Sequence, residues 1–340
     1  MKNNYAIFRY PGDEYCLMVS RKDGGAEELR IDDNPAALPG FILAPFHLDG
    51  PHPVIRIRSE VVERVKISEN LPQPCKWSAD EKDEREHYHT AFTRFHEKLN
   101  DESFDKLVLS RRLRLEADCD FYSLNFFFRA CILYPDQFVA LVKTQREGTW
   151  LMATPETLIK KEGDEYTSMA LAGTRRGRVE QWDKKNIREQ DIVRKYIERQ
   201  LLPVCSKVEH GRLVTQTAGE LSHLRTDFRF RPLKGTGLTE LASRLHPTPA
   251  VCGLPKEEAQ KFILSAETHD RAYYSGFAGP VDVEGTTHLF VNLRCLCAKG
   301  RHCTLYAGGG LLKESIEEKE WIETEEKLKT MKKCIATKEI

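Results

Sequence analysis

Glu320, Glu323 and Lys327 stand at i, i+3 and i+7, so a helix near the carboxyl terminus would carry all three on one face. Carboxylates one turn apart are the donor type that a hard cation takes through oxygen. A solvated Glu323–Lys327 pair, four residues apart, accounts for the same spacing. Glu189 shares a helical face with Val193, Tyr196 and Gln200, so an acid leads a largely apolar stripe. Charged groups are rarely buried without a partner or a metal, and Lys185 and Arg188 are within reach as partners. Gly308-Gly309-Gly310 follows an apolar stretch. Successive glycines let backbone N–H groups converge on an anion, and they serve a tight turn equally well. The later Lys-Ser/Thr of a phosphate-binding loop is missing, which argues against a nucleotide.

His246-Pro247-Thr248-Pro249 is a rigid extended segment, because proline fixes its own φ and restricts the residue before it. A structural turn is a sufficient account of it. His223, between Ser222 and Leu224, reads equally well as a satisfied core histidine. Cys295 and Cys297 would share one face of a strand, with His302 and Cys303 close behind. No Cys-x-x-Cys pair accompanies them. A hairpin turning at Lys299-Gly300, with buried cysteines, is the expectation.

The elements that must carry these groups are mixed in type. Residues 1–75 read as short strands broken by Pro and Gly, and 75–86 as a polar linker into a helix at 87–99. A strand is predicted at 104–115, an aromatic-rich helix at 121–133 and a strand pair at 138–143 and 149–153. A long helix follows at 183–202, stopped by Pro203. From 289 onward the pattern gives two strands, the glycine run and a helix over 316–334, buried along Trp321, Thr324, Leu328, Met331 and Ile335. Helices and strands do not alternate strictly. The expected fold is α+β: a single large domain with mainly antiparallel sheets flanked by helices.

Composition narrows the function classes. The chain has 340 residues, 31% charged and 40% hydrophobic, with 52 Lys+Arg balancing 52 Asp+Glu. A zero net charge argues against whole-chain attraction to nucleic acid or an anionic membrane. The basic clusters at 110–114 and 174–178 are interrupted by apolar or small residues, as in a solvated strand or turn. No apolar run reaches the length of a bilayer span, and residues 1–15 lack a signal-peptide core. Ten cysteines without repeated spacing suggest reduced thiols in a cytoplasm.

Read in order, eight segments resemble the chorismate-utilising enzymes, and within them the isochorismate synthases. They are FDKLVLSR at 104–111, ATPE at 153–156, LAGTR at 171–175, LHPTPAVCG at 245–253, YYSG at 273–276, VNLRC at 291–295, LYAGGG at 305–310 and EWIET at 320–324. The matched core is 104–331, and residues 1–75 correspond to the variable part of such enzymes. Anthranilate synthases, which are similar, carry Gln where Lys106 stands, and aminodeoxychorismate synthases carry Lys where Ala172 stands. Lys106 with Ala172 is the pattern of the members that add water, a pattern shared by salicylate synthases, the alternative reading.

The resemblance implies an isomerase that converts chorismate to isochorismate, adding water at C2 as the C4 hydroxyl leaves, for menaquinone or siderophore biosynthesis. Lys106 would take the proton from water, in its neutral form, and Glu156, held protonated by an apolar setting, would deliver one to the departing hydroxyl. Mg2+ would be held by Glu189 and Glu323, with Glu320 acting through a water. Arg294, Tyr274 and the amides of Gly308 and Gly310 would take the second carboxylate. Gly173, Thr174, His223 and Lys327 would complete the pocket wall. The chain departs from the family at Gln190, where a His usually follows the first metal-ligand Glu, and in a short 176–189 segment. No amidotransferase subunit is implied, and a cytoplasmic monomer acting on chorismate alone is the expectation.

Overall fold

The computed structural model describes residues 4–69, 71, 76–79, 82–118 and 123–335. Parts of the expected 75–86 linker and of the expected 121–133 helix, and Cys75 and Cys119, lie outside these residues. Among those described, six α-helices are α1 (Lys82–Asn100), α2 (Ser123–Leu133), α3 (Lys184–Leu201), α4 (Leu238–Leu245), α5 (Lys256–Ala266) and α6 (Glu317–Ile335). No helix among the described residues is long and apolar enough to cross a membrane.

Two antiparallel sheets of ten strands each form the middle of the molecule. The strand Phe138–Thr144 shows why its sequence is apolar almost throughout. Phe138, Ala140 and Val142 enter a core shared with Phe41, Leu43, Ile55 and Phe290 of the other sheet. Val139 and Leu141, on the opposite face, pack with Phe127 of α2 and Leu328 and Met331 of α6. Side chains alternate across a strand, and with both faces covered neither set is free to be polar. The second sheet is covered in turn by α3 and α4, through Val193, Tyr196, Ile197 and Leu245. Helices thus flank paired antiparallel sheets, as expected from the sequence.

Two strand pairings position the site. Lys106–Ala117 pairs with His302–Leu311, placing Gly308 opposite Ser110, Gly309 opposite Leu109 and Gly310 opposite Val108. The glycine run is therefore neither a nest nor a tight turn but the continuation of a strand. In the second sheet Glu165–Arg176 pairs with Leu221–Pro232, and the register shifts between Ala172 and Thr174. Gly173 at this shift has φ +74°, a left-handed conformation that glycine adopts at little cost. The shift sets Thr174 opposite His223.

The first strand is also clamped from outside the sheet. Glu267 accepts from the Ser110 amide at 2.7 Å, and Arg271 donates to the carbonyls of Val108 (2.7 Å) and Val251 (2.8 Å). The segment around His246 is structural, as its two prolines imply: its buried ring lies 3.2 and 3.1 Å from the carbonyls of Pro45 and Phe46. The hairpin Cys295–Lys299 with His302–Leu311 forms as expected, with Cys295 and Cys303 buried and Cys297 partly so.

Candidate active site

Between one end of the two sheets lies a pocket of about 630 Å³, its open mouth included. That is within the usual range for small-molecule sites. Gly173, Thr174, His223, Tyr274, Arg294, Gly308, Gly310 and Lys327 all line it, together with Glu156 and Glu189. Every residue expected on the pocket wall is thus brought to one cavity, from both sheets and from α3 and α6. Leu171, Ala172, Val251, Leu293 and Tyr306 add apolar surface. Tyr306 stacks on Tyr274, with ring centroids 5.5 Å apart.

The glycines are explained by close approach. A Cβ on Gly310 would lie 2.1 Å from Glu189 Oε1, and one on Gly308 2.8 Å from Tyr274 Oη. Strand propensity is poor at both positions, but only glycine leaves room for the groups opposite.

Glu156 follows the strand Gly148–Thr154 through Pro155 and is 2% exposed. Burial pushes its carboxyl up to about 8, although the charges of Lys106, Arg294 and Lys327 pull the other way. Desolvation penalises the charged form, and here it wins. Arg294 sits in left-handed backbone, φ +46°, a strained conformation for a side chain of this size. Burial brings its guanidinium down to about 10. One of its terminal nitrogens meets His223 Nε2, and the other, Nη1, is buried without a partner among the described residues.

Lys106 and the acids arrange themselves differently from the sequence reading. Lys106 is fully buried but does not line the cavity; its ammonium donates to Glu189 Oε1 at 2.8 Å. Neither Lys185 nor Arg188 is therefore the direct partner of Glu189. Lys185 pairs with Glu320 and Arg188 with Glu314. The Glu323–Lys327 pair forms at 2.7 Å, and Lys327 also donates to the carbonyl of Gly308 at 2.7 Å. Glu320 and Glu323 line an adjoining, more open cavity that shares Thr174 with the first. Gln190, where the family pattern has an imidazole, is buried and donates to Thr226 Oγ1 at 2.8 Å.

Among the described residues no three His, Cys, Asp or Glu side chains gather into a ready-made metal centre. Each candidate carboxylate instead holds a lysine: Glu189 with Lys106, Glu320 with Lys185 and Glu323 with Lys327. The donor set still fits a hard divalent ion in kind. A Cβ on Gly309 would lie 3.4 Å from Glu320 Oε2 and 3.6 Å from Glu323 Oε1, and Glu189 closes on the neighbouring Gly310. Burial, and then the charge of Glu323, raises the proton affinity of Glu320. Crowding of that kind is what a cation relieves.

One residue of the site, Asn186, escapes the sequence reading, and another, Lys185, is found on a different acid from the one it was read against. Asn186 accepts from the Thr174 amide at 3.2 Å and stands against Gly173, where an added Cβ would meet its Oδ1 at 3.0 Å. Lys185 bridges the first turns of α3 and α6. The signal for Asn186 is its place in the first turn after the Asp183 cap, which its own amide completes at 2.9 Å; nothing local points to Gly173.

Comparison with known proteins gives this arrangement a lineage. Residues 53–336 match the family described as chorismate binding enzyme. Isochorismate synthase EntC of Escherichia coli is 30% identical over 241 residues, 67% of this chain and 61% of its own length. Isochorismate synthase DhbC of Bacillus subtilis is 31% identical over 265 residues, 72% of this chain and 66% of its own length. The chain thus spans less than two thirds of either relative. In fold, DhbC of Bacillus anthracis superposes with a TM-score of 0.85 over 98% of this chain and 96% of that one, at 24% identity.

Proposed function

The chain belongs to the chorismate-binding enzyme family, and on that premise we propose that it isomerises chorismate to isochorismate. The observation that carries the reading is Glu156, a carboxylic acid held protonated to about pH 8 in the wall of a pocket that also contains a guanidinium nitrogen with no partner among the described residues. A proton donor beside an anion-binding group is what loss of a ring hydroxyl from a dicarboxylate requires. Ala172 supports the water-adding branch, since the relatives that resemble this chain but carry an amine nucleophile place a lysine there.

In this reading Lys106, once it has left Glu189 and released its extra proton to solvent, takes as the neutral amine a proton from the water that adds at C2. The ring double bond shifts, and the C4 hydroxyl departs as water with the proton of Glu156. Lys106 must leave Glu189 to reach the pocket, so the ion pair is the resting arrangement. Arg294 Nη1 and Tyr274 take one carboxylate of the substrate. Tyr306 and Leu293 keep the ring side of the cavity apolar. Glu189 and Glu323, with Glu320 behind them, would hold Mg2+, which when bound supplies positive charge for the other carboxylate.

Incubating the protein with chorismate and Mg2+ and separating the products tests the proposal. Isochorismate is expected, formed reversibly, with activity abolished by EDTA and restored by Mg2+. Salicylate and pyruvate as main products would move the chain to the salicylate-forming branch. Full activity after thorough chelation would sink the metal assignment.

A further inference from the structure

His223 lines the pocket, but its bonds point elsewhere than to a substrate. The imidazole Nδ1 lies 3.0 Å from the carbonyl of Gly173 and 3.3 Å from Thr174 Oγ1, while Nε2 meets the guanidinium of Arg294. A carbonyl can only accept and a guanidinium can only donate. The two bonds together therefore admit a single state of the ring: neutral, with the proton on Nδ1 and the lone pair on Nε2. The register shift at Gly173 aims that carbonyl, and Asn186 stands against the glycine.

We propose that His223 is a positioning residue for Arg294, its neutral Nδ1–H tautomer fixing the guanidinium so that Nη1 alone faces the substrate carboxylate. The inference deepens the reading given above and rests on Arg294 being the carboxylate's partner. Three observations converge on it. Arg294 Nη1 is buried and has no partner among the described residues, a costly state that a buried carboxylate would relieve. Its Nη2 is already engaged by His223. The backbone at Arg294 is left-handed, so the side chain starts from a held position rather than a mobile loop. Burial, with the charges of Arg294 and Lys327, also keeps the ring neutral well below its ordinary range. An imidazolium there would present an N–H to a guanidinium and push Arg294 away.

The experiment compares wild type with His223→Ala and His223→Gln, the latter offering an amide oxygen where Nε2 stood. Chorismate binding is measured by titration calorimetry, and turnover, melting temperature and the histidine ¹⁵N spectrum alongside. Expected for His223→Ala is chorismate affinity weaker by about tenfold or more with the melt little changed, the scale of one hydrogen bond to a charged group. KM should rise more than kcat falls, and Gln should recover most of the loss. Wild type should show a neutral Nδ1–H imidazole, absent from both variants and unchanged between pH 5.5 and 8. An imidazolium or Nε2–H signal would overturn the proposal, as would wild-type affinity in His223→Ala. Wild type that binds chorismate in a His223-dependent way yet forms no isochorismate would sink the isomerase reading and uphold the positioning role. Absence of chorismate binding by wild type would overturn both.

Discussion

A carboxyl group buried as deeply as Glu156 keeps its proton because the pocket cannot solvate the anion, and the cost appears in stability as well as in catalysis. Its folded-state value is about 8 against an ordinary 4.5. Below pH 4.5 both folded and unfolded chains carry the proton, and the group is neutral to folding. Between 4.5 and 8 the unfolded carboxyl ionises while the folded one cannot, so stability drifts down as pH rises. Glu156→Gln removes that drift. The gain in urea midpoint over wild type should grow from pH 5 to pH 8, and an equal difference at both pH values would mean that Glu156 is solvated. In turnover, Glu156→Gln and Lys106→Ala should each lose about 10²–10⁴-fold. Their losses should not add, since either deletion stalls the same exchange of protons. A Lys106→Ala enzyme of near-normal rate and unchanged melt would show that another group activates the water.

At the scale of elements, the glycines divide into those that serve packing and those that serve the pocket. Gly276 is of the first kind: an added Cβ would meet the backbone oxygen of Ala44 at 2.0 Å. Backbone cannot step aside, so Gly276→Ala should lower the melting temperature markedly, by the equivalent of about 1–3 kcal/mol or more. Gly310 is of the second kind, because the atoms nearest its added Cβ are the ends of the Glu189 and Lys106 side chains. Those side chains can rotate away while the strand stays paired with Lys106–Ala117. Gly310→Ala should therefore melt near wild type while losing most of its turnover, since both displaced groups belong to the proposed chemistry. Equal effects of the two substitutions on melting would contradict this division. The helices act differently, by aim: α3 and α6 bring their first turns together, where Lys185 spans to Glu320.

Over the whole molecule, the buried and half-buried imidazoles set the acid limit. Burial holds His246 and His288 near 3 and His269 near 4, and His223 well below its ordinary 6.5. Each stays neutral in the folded chain while its unfolded counterpart charges below 6.5, so stability present above that pH is lost as pH falls toward 3–4. Each such group costs about 1.4 kcal/mol per pH unit in that window. Together they outweigh the opposite drift of Glu156. The urea midpoint should be lower at pH 5 than at pH 7, with net proton uptake on unfolding at pH 5.5; a higher midpoint at pH 5 would refute the burial of these rings. The features legible in the amino-acid sequence are local in origin. Periodicity and Pro203 predict a helix over 183–202, found at Lys184–Leu201, and alternation predicts the 104–115 strand, found at Lys106–Ala117. The pocket wall is legible only through the motif order, which retains groups that chemistry selects without saying what they touch. Tertiary structure alone decides that Gly308 to Gly310 continue a strand, because the groups forbidding a Cβ come from other elements. It alone gives Lys106 to Glu189, 83 residues along the chain, and turns His223 onto Arg294. Hydrogen-bond and ion-pair partners depend on approach in space, and neither spacing nor periodicity encodes which distant element will arrive.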